Sequence, residues 1–173
     1  IGAANVGGVT SLSQESYRLG PSGKAFLAMI IANRGLDEQI LTNLFSDLET
    51  SAVRTASGTF WEDDQTCFCT FNTPSSSTAI VLYALARRDP TSDTIPEAVR
   101  YLISSRSPAG DWNSAYDTSW AVMALTRVMK GTGEFQGDFS FTSTLNGTQV
   151  ISGQADGPSH LESVSASIPI QDL

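Results

Sequence analysis

The sequence predicts a mainly α-helical protein: a partial α/α toroid, which is a ring built from pairs of helices, followed by a short antiparallel β segment. Three observations lead to this prediction. Helix-forming stretches repeat along the chain, they alternate between apolar on most faces and apolar on one face, and a period-two alternation replaces them after residue 136. The chain is therefore expected to divide into residues 1–135, the partial toroid, and residues 136–173, the β fragment.

Three stretches resemble one another and are apolar on most of the helical circumference. Residues 117–125 align with residues 77–85 at an offset of 40, and residues 76–86 align with residues 22–32 at an offset of 54. A helix that is apolar on most of its circumference is buried on most of its circumference, so each of the three should have neighbours on several sides. The irregular spacing favours a ring or solenoid of helix pairs with loops of variable length.

Five helices are expected between Tyr17 and Lys130. The enclosed helices cover about residues 22–33, 77–88 and 117–129. Two one-sided helices lie between them, with the apolar side chains Ile40, Leu41, Leu44, Phe45 and Leu48 in the first and Ile95, Ala98, Val99, Leu102 and Ile103 in the second. This alternation of enclosed and half-exposed helices indicates an inner and an outer layer of a ring.

Cap residues predict where several helices begin. Asp37 is expected to cap the first one-sided helix, and residues 94–97 (Thr-Ile-Pro-Glu) have the pattern of a capping box with Pro in the first turn. Asp117 and Thr118 are N-cap-type residues in front of the last apolar run, and the serines at 75–77 suit a helix start.

Two other segments lack a helical period. Residues 1–16 are rich in Gly, Ala and Ser, so a loop or a frayed end is expected there. Residues 57–76 are expected to form a long loop.

The β fragment is predicted from alternation and from one turn signal. Apolar and polar residues alternate over residues 139–145, and Asn146-Gly147 favours a two-residue hairpin turn. A looser third strand is expected over about residues 161–168, with Val164, Ala166 and Ile168 on one face. Asn146 also begins a glycosylation sequon, but a type I′ turn explains the Asn-Gly pair without a glycan.

The composition excludes several classes of protein. The 173 residues have a net charge of −8, which argues against binding to nucleic acid or to anionic membrane surfaces. No apolar run is long enough to span a bilayer, so no membrane insertion of this segment is expected. The first residues show neither an initiating Met nor a signal-peptide pattern, and the chain stops inside an apparent strand, so a piece of a longer protein is expected.

No catalytic, cofactor-binding or metal-binding set is predicted. The sharpest acidic cluster is residues 62–64 (Glu-Asp-Asp), directly after Trp61. Such a cluster serves either as a general-acid pair or as a Mg²⁺–diphosphate site, or it is a solvated loop. A solvated loop is favoured, because no second acidic cluster supports the other two and charge runs usually face water.

The remaining reactive or aromatic side chains are given structural roles. Cys67 and Cys69 are too close for an unstrained disulfide and lack further zinc ligands nearby, so buried or loop thiols are favoured over a redox or metal pair. His160 stands alone and is expected to be exposed. The three tryptophans either bind a ligand or fix loops to the core, and the second role is favoured for Trp61, Trp112 and Trp120.

The order of these motifs resembles the alpha-2-macroglobulin-like proteins, especially the bacterial ones. From Tyr17 to the end, the chain is similar to the C-terminal half of their thioester-containing domain and part of the CUB-like β domain that follows. The block over residues 112–125, with Trp112, Asp117, Thr118 and Leu125, is the most specific part of the resemblance.

The resemblance implies a fragment of a broad-spectrum endopeptidase inhibitor, a protease trap that is extracellular or periplasmic. Any attachment to the cell surface would be through its parent chain. In that family, cleavage by a protease exposes a Cys–Gln thioester that acylates the attacker. The thioester motif, Cys-x-Glu-Gln, is absent here, since Cys69 is followed by Thr70, Phe71 and Asn72. The segment is therefore expected to be non-catalytic, to need no cofactor, and to shield a thioester outside this chain. Its expected partners are proteases, bound through the full-length parent, and other domains of that parent.

Two alternatives use the same kind of ring. Terpene cyclases and protein prenyltransferases also stack helix pairs with Gly-x-Trp turns, but they need an Asp-rich motif or a zinc set in the centre of the ring. A non-catalytic interaction domain of a cell-surface protein is the other alternative, and the β fragment fits it as well as it fits the trap.

Overall fold

The computed structural model of the chain is mainly helical. It describes residues 6–63, 72–133 and 138–155, together with the single positions 165, 167 and 169. The chain divides into two compact units, Ile1–Gly131 and Thr132–Leu173. No helix in the described ranges combines the length and the apolar character that crossing a bilayer requires.

Six α-helices and two antiparallel hairpins make up the described elements. They are α1 (Val6–Gln14), a 3-10 turn (Ser16–Arg18), α2 (Pro21–Arg34), α3 (Glu38–Thr50), β1 (Val53–Thr55), β2 (Gly58–Phe60), α4 (Pro74–Arg88), α5 (Thr94–Ser104), α6 (Ala115–Thr132), β3 (Phe139–Leu145) and β4 (Thr148–Ala155). Each of the five predicted helices is present, as α2 to α6.

The first helix was not predicted. Residues 6–14 were expected to be loop, but they form α1, whose Val9 packs against a core cluster shared by α2 and α3. Within α1 the Ser13 hydroxyl donates to the Val9 carbonyl at 2.8 Å. The prediction was wrong because a tertiary contact, and not a periodic sequence, stabilises this helix.

Three helix starts test the predicted caps. Asp37 accepts hydrogen bonds from the backbone N–H groups of Gln39 and Ile40, so it caps α3 as expected. In α6 the cap is Ser114 and not Asp117 or Thr118: its hydroxyl oxygen accepts from the Asp117 N–H at 3.1 Å, because the helix begins two residues earlier than predicted. In α4 the capping box is formed by Thr73 and Ser76, so one of the three predicted serines does cap this helix.

The predicted capping box at residues 94–97 is wrong, because Thr94 already lies inside α5. The Glu97 carboxylate instead accepts a short hydrogen bond from the Thr59 hydroxyl of β2. Residues 58–60 of the predicted long loop are thus strand β2, which pairs with β1 and is held against α5. A Cβ atom at Gly58, where φ is +127°, would collide with the Glu97 carbonyl oxygen and lie 2.7 Å from the Tyr101 nitrogen, so this close approach requires glycine.

Helix α4 lies at the centre of the helical unit. It packs against α2 and α5, while α3 packs against α2. Its side chains are buried on nearly all sides: Ser75 to Leu82 and Ala84 to Ala86. The main core cluster joins these residues to Ala25, Leu48, Trp61, Ile95, Ala98, Leu102, Trp112, Ala121, Ala124 and Val128.

Helix α6 is less enclosed than predicted. Its buried residues are Asp117, Ala121, Ala124 and Val128, while Val122 and Met123 are exposed. The expectation that α6 is buried on most of its circumference was wrong, because within the described residues its neighbours cover the face with these four residues and Trp120 but not the side with Val122 and Met123. The apolar surface on the latter side is left uncovered by the described part of the chain.

The second unit contains the predicted hairpin. Strands β3 and β4 pair in antiparallel register from Phe139↔Ala155 to Leu145↔Thr148, with an irregularity after Ser143. The turn residues Asn146 and Gly147 have φ angles of 51° and 82°, the left-handed values of a type I′ turn. The predicted third strand, with Val164, Ala166 and Ile168, lies outside the described residues.

Candidate functional site

A tryptophan at the end of β2 ties three elements together. Trp61 is fully buried, and its indole N–H donates to the Leu48 carbonyl of α3 at 2.6 Å. Its backbone N–H donates to the Thr78 hydroxyl of α4 at 3.0 Å. Trp61 therefore connects the end of α3, through its side chain, to the first turns of α4, through its backbone.

The same arrangement recurs before α6. The indole N–H of Trp112 donates to the Leu102 carbonyl of α5 at 3.0 Å, and its backbone N–H donates to the Thr118 hydroxyl at 3.1 Å. We call each set of Trp, Thr and helix-end carbonyl a tryptophan latch. The predicted role of Trp61 and Trp112 in fixing loops to the core is confirmed.

A buried carboxylate follows the first latch. Asp63 Oδ1 accepts from the Ser22 backbone N–H at 3.1 Å. Asp63 Oδ2 accepts from the Ser22 hydroxyl at 2.5 Å, the Asn72 side-chain amide at 2.9 Å and the Ser77 hydroxyl at 2.8 Å. Four donors therefore converge on one side chain. We call these four residues, Ser22, Asp63, Asn72 and Ser77, the Asp63 cluster.

The Asp63 cluster caps a helix from a distance. The N-cap residue of α2 is Gly20, which has no side chain to accept from the first N–H groups of the helix. Asp63 takes this role, and a negative charge is favourable beside the N-terminal end of a helix. A Cβ atom at Gly20 would overlap Asp63 Oδ1, so the missing side chain also makes room for the carboxylate.

Contacts at both ends align α2 with α4. The Asp63 cluster joins their N-terminal ends through Ser22 and Ser77. At the opposite ends the Arg87 guanidinium of α4 donates to the Asn33 side-chain oxygen of α2 at 2.7 Å. The two helices therefore lie side by side and run in the same direction.

The acidic segment at residues 62–64 is not simply a solvated loop. Glu62 is exposed, Asp63 is buried, and Asp64 lies outside the described residues. The favoured prediction was wrong for Asp63, because its charge is compensated by hydrogen bonds and not by water. With its oxygens occupied in this way, Asp63 is poorly suited to hold Mg²⁺ or to transfer a proton.

A metal centre has no support in the described ranges. Within residues 6–63, 72–133 and 138–155, no group of three or more His, Cys, Asp or Glu side chains is arranged to hold a metal ion. Cys67, Cys69 and His160 lie outside the described residues.

Burial, together with the nearby Glu62 carboxylate, raises the pKa of the Tyr101 phenol, which stacks on Phe60 with ring centroids 4.7 Å apart.

Aromatic side chains form a second feature across three helices. The Trp120 ring lies edge-on to Phe26 of α2 at 5.5 Å and to Tyr83 of α4 at 6.2 Å, measured between ring centroids. Trp120 is half-buried within α6, so it does not fix a loop as predicted. Ile30 and Met123, one turn further along α2 and α6, are 39% and 45% exposed. We call these five residues the aromatic face.

Sequence reasoning missed the Asp63 cluster, although the repeats hold a signal for it. In each copy, one position lies two residues after the latch tryptophan and another lies directly before the latch threonine. One of these two positions holds an acid and the other holds a serine, and the order is opposite in the two copies. The first copy has Asp63 and Ser77, and the second has Ser114 and Asp117. Asp63 thus occupies a position that is polar in both copies and lies two residues from a buried tryptophan, which favours a structural hydrogen bond over a solvated loop.

Comparisons with known proteins leave the family open. A scan of the chain against protein-family models finds no match, and a search of curated proteins finds no significant relative. The latches, the Asp63 cluster and the aromatic face are therefore the observations that bear on function.

Proposed function

We propose that this chain is a non-catalytic segment of an alpha-2-macroglobulin-like endopeptidase inhibitor, a protease trap that acts outside the cell or in the periplasm. Its helical unit supplies part of an α/α toroid that shields a thioester elsewhere in the parent protein. Its β hairpin belongs to the β domain that follows.

The observation that most supports this proposal is the repeated tryptophan latch. Each latch connects a one-sided helix to the helix that follows, through Trp61 from α3 to α4 and through Trp112 from α5 to α6. A repeat of helix pair and latch is what we would expect of a toroid segment, and it supports the proposal in that sense. The order of the latches also matches the order of motifs on which the resemblance rests.

The chemistry of the described residues agrees with a shielding role better than with a cyclase or prenyltransferase. Such enzymes need acidic or metal-binding groups that face a central cavity. The buried acid of the Glu-Asp-Asp segment, Asp63, is occupied by four donors that belong to the fold itself. Its arrangement is that of a structural carboxylate.

A second candidate is a cell-surface interaction domain, and the aromatic face favours it. Phe26, Ile30 and Met123 are between 37% and 45% exposed, and the Phe26 ring contacts the Trp120 ring. Exposed apolar patches on folded domains commonly mark interaction surfaces. In the trap, this face would be covered by further helices of the toroid, whereas in an interaction domain it would remain available to a partner.

The trap proposal predicts size-selective inhibition by the full-length protein. Endopeptidases of several catalytic classes are incubated with it, and their activity is measured on a large protein substrate and on a small peptide substrate. We expect cleavage of the large substrate to fall while cleavage of the peptide persists, because a trapped protease keeps a working active site but loses access to bulky substrates.

The 173-residue chain alone is the control, and we expect it to inhibit neither reaction. Equal inhibition of both substrates by the full-length protein would indicate an active-site inhibitor. No inhibition of either substrate would contradict the trap and leave the interaction domain as the better proposal.

A further inference from the structure

The α2–α4 interface is closed by polar contacts at both ends. At the N-terminal end, Asp63 accepts from Ser22 of α2 and from Ser77 of α4. At the C-terminal end, Arg87 of α4 donates to Asn33 of α2 at 2.7 Å. The Asp63 bonds are buried and have a charged acceptor, which makes them among the stronger hydrogen bonds in proteins, whereas the Arg87–Asn33 bond is exposed to solvent and contributes less.

The fully buried residues of helix α6 form a single stripe, and beside it the half-buried Trp120 ring contacts Phe26 of α2 and Tyr83 of α4. Asp117, Ala121, Ala124 and Val128 are buried and follow one another at intervals of four, three and four residues, which places them on one helical face. Gly131, at the C-terminal end, lies so close to α4 that a Cβ atom there would be 3.0 Å from Pro90 and 3.8 Å from the Ala86 carbonyl. The stripe therefore faces the core that α6 shares with α4.

Two buried polar groups of α6 are unsatisfied in the described part of the chain: the Asp117 carboxylate at the start of the stripe, and the Nε atom of Arg127, which precedes Val128 and lies beside the stripe. Neither carboxylate oxygen of Asp117, which is fully buried, has a hydrogen-bond partner among the described residues, and the same holds for the buried Nε atom of Arg127. At the repeat offset of 40, these positions correspond to Ser77 and Arg87, the residues that close the α2–α4 interface. The second interface thus has polar side chains at the matching places but lacks the matching bonds.

The exchange of acid and serine between the repeats explains part of this difference. In the first repeat the acid is in the loop, at Asp63, and the serine is in the helix, at Ser77. In the second repeat the serine is in the loop, at Ser114, and the acid is in the helix, at Asp117. Ser114 already accepts from the Asp117 backbone N–H as the helix cap. A buried carboxylate without a donor destabilises the packing that buries it.

We infer that α6 is the separable element of the helical unit: it detaches from α4 as one piece while α2 stays bound to α4. The inference rests on the two unsatisfied polar groups of α6 and does not depend on the proposed function. It assigns a conformational role to α6, since its detachment would uncover the part of the core formed by Ala121, Ala124 and Val128.

Native-state hydrogen exchange of the 173-residue chain tests this inference. Under conditions in which exchange reports opening equilibria, we expect backbone amides at residues 121–128 of α6 to exchange about tenfold faster than those at residues 79–86 of α4. The central turns are compared so that fraying of helix ends does not contribute. Equal protection of the two helices would overturn the inference.

A variant in which the residues at positions 114 and 117 are swapped tests the cause of this opening. Ser114→Asp with Asp117→Ser gives α6 the order found in the first repeat, keeps a good cap residue at position 114, and removes the buried carboxylate. We expect it to slow exchange at residues 121–128 to within a few fold of α4, while Ser119→Ala, an exposed change on the same helix, leaves exchange unaltered. Fast hydrogen exchange that persists in the swapped variant would also overturn the inference, because the unsatisfied carboxylate would then not be the reason that α6 opens.

Discussion

Asp63→Ala is expected to lower the free energy of unfolding of the helical unit by roughly 3–5 kcal/mol. The substitution removes one acceptor from four donors at once, and it leaves the Ser22 N–H at the start of α2 without its cap. The loss should appear in urea unfolding as a lower midpoint with an unchanged slope, because the surface exposed on unfolding stays the same.

The neighbouring acid gives a matched control for Asp63. Glu62 has the same charge and lies one residue earlier, but it is exposed. Glu62→Ala should change the free energy of unfolding by no more than about 0.5 kcal/mol. A similar effect of the two substitutions would show that net charge, and not the Asp63 cluster, determines the stability of this region.

Trp61→Ala is expected to destabilise the helical unit by about 3–5 kcal/mol, the range found when large buried aromatic residues are truncated. The ring is fully buried in the core cluster that joins α3, α4 and α5, and its removal leaves a cavity and deletes the indole hydrogen bond to the Leu48 carbonyl, which keeps its bond from the Ser51 hydroxyl. Typical domains are stable by about 5–15 kcal/mol, so a large part of the folded population would be lost at moderate urea concentrations.

Trp61→Phe separates the two contributions of this side chain. It keeps most of the apolar contact but removes the indole N–H that donates to Leu48, so a smaller loss of about 1–3 kcal/mol is expected. Unfolding followed by circular dichroism compares the three proteins. An effect of Trp61→Ala below about 1 kcal/mol would contradict the description of the latch as a core element.

The sequence was sufficient for the helices whose stability depends on a periodic apolar face. The stripes of α3 and α5 and the apolar runs of α2, α4 and α6 placed five helices correctly, and Asn146-Gly147 placed the hairpin. Helix starts were less predictable, because several residues near each start can serve as the cap. In α6 both Ser114 and Asp117 are suitable caps, and tertiary packing selects the earlier one.

Features that depend on distant contacts were not predictable from local patterns. Helix α1 is stabilised by Val9 against a core cluster formed by later helices, and β1–β2 are strands of three residues held against α5. Asp63 was misjudged for the same reason. Its donors Ser22 and Ser77 are 41 and 14 residues away in sequence, so a rule based on neighbouring charges could not detect them.

The exposure of one side of α6 was also not predictable from its local sequence pattern. Its sequence is apolar on most faces, which predicts an enclosed helix, yet Val122 and Met123 are exposed in the described part of the chain. In the proposed toroid, further helices of the parent protein would cover this apolar face.

The intact mass of the full-length protein, measured with and without methylamine, tests the central proposal most directly. Methylamine attacks the carbonyl carbon of a thioester, forms an amide and releases the cysteine thiol. If the parent is a thioester-based trap, its mass should rise by one methylamine molecule and one new free thiol should appear, while the 173-residue chain alone should show neither change. A full-length protein whose mass and thiol content stay the same would contradict the shielding of a thioester by this segment.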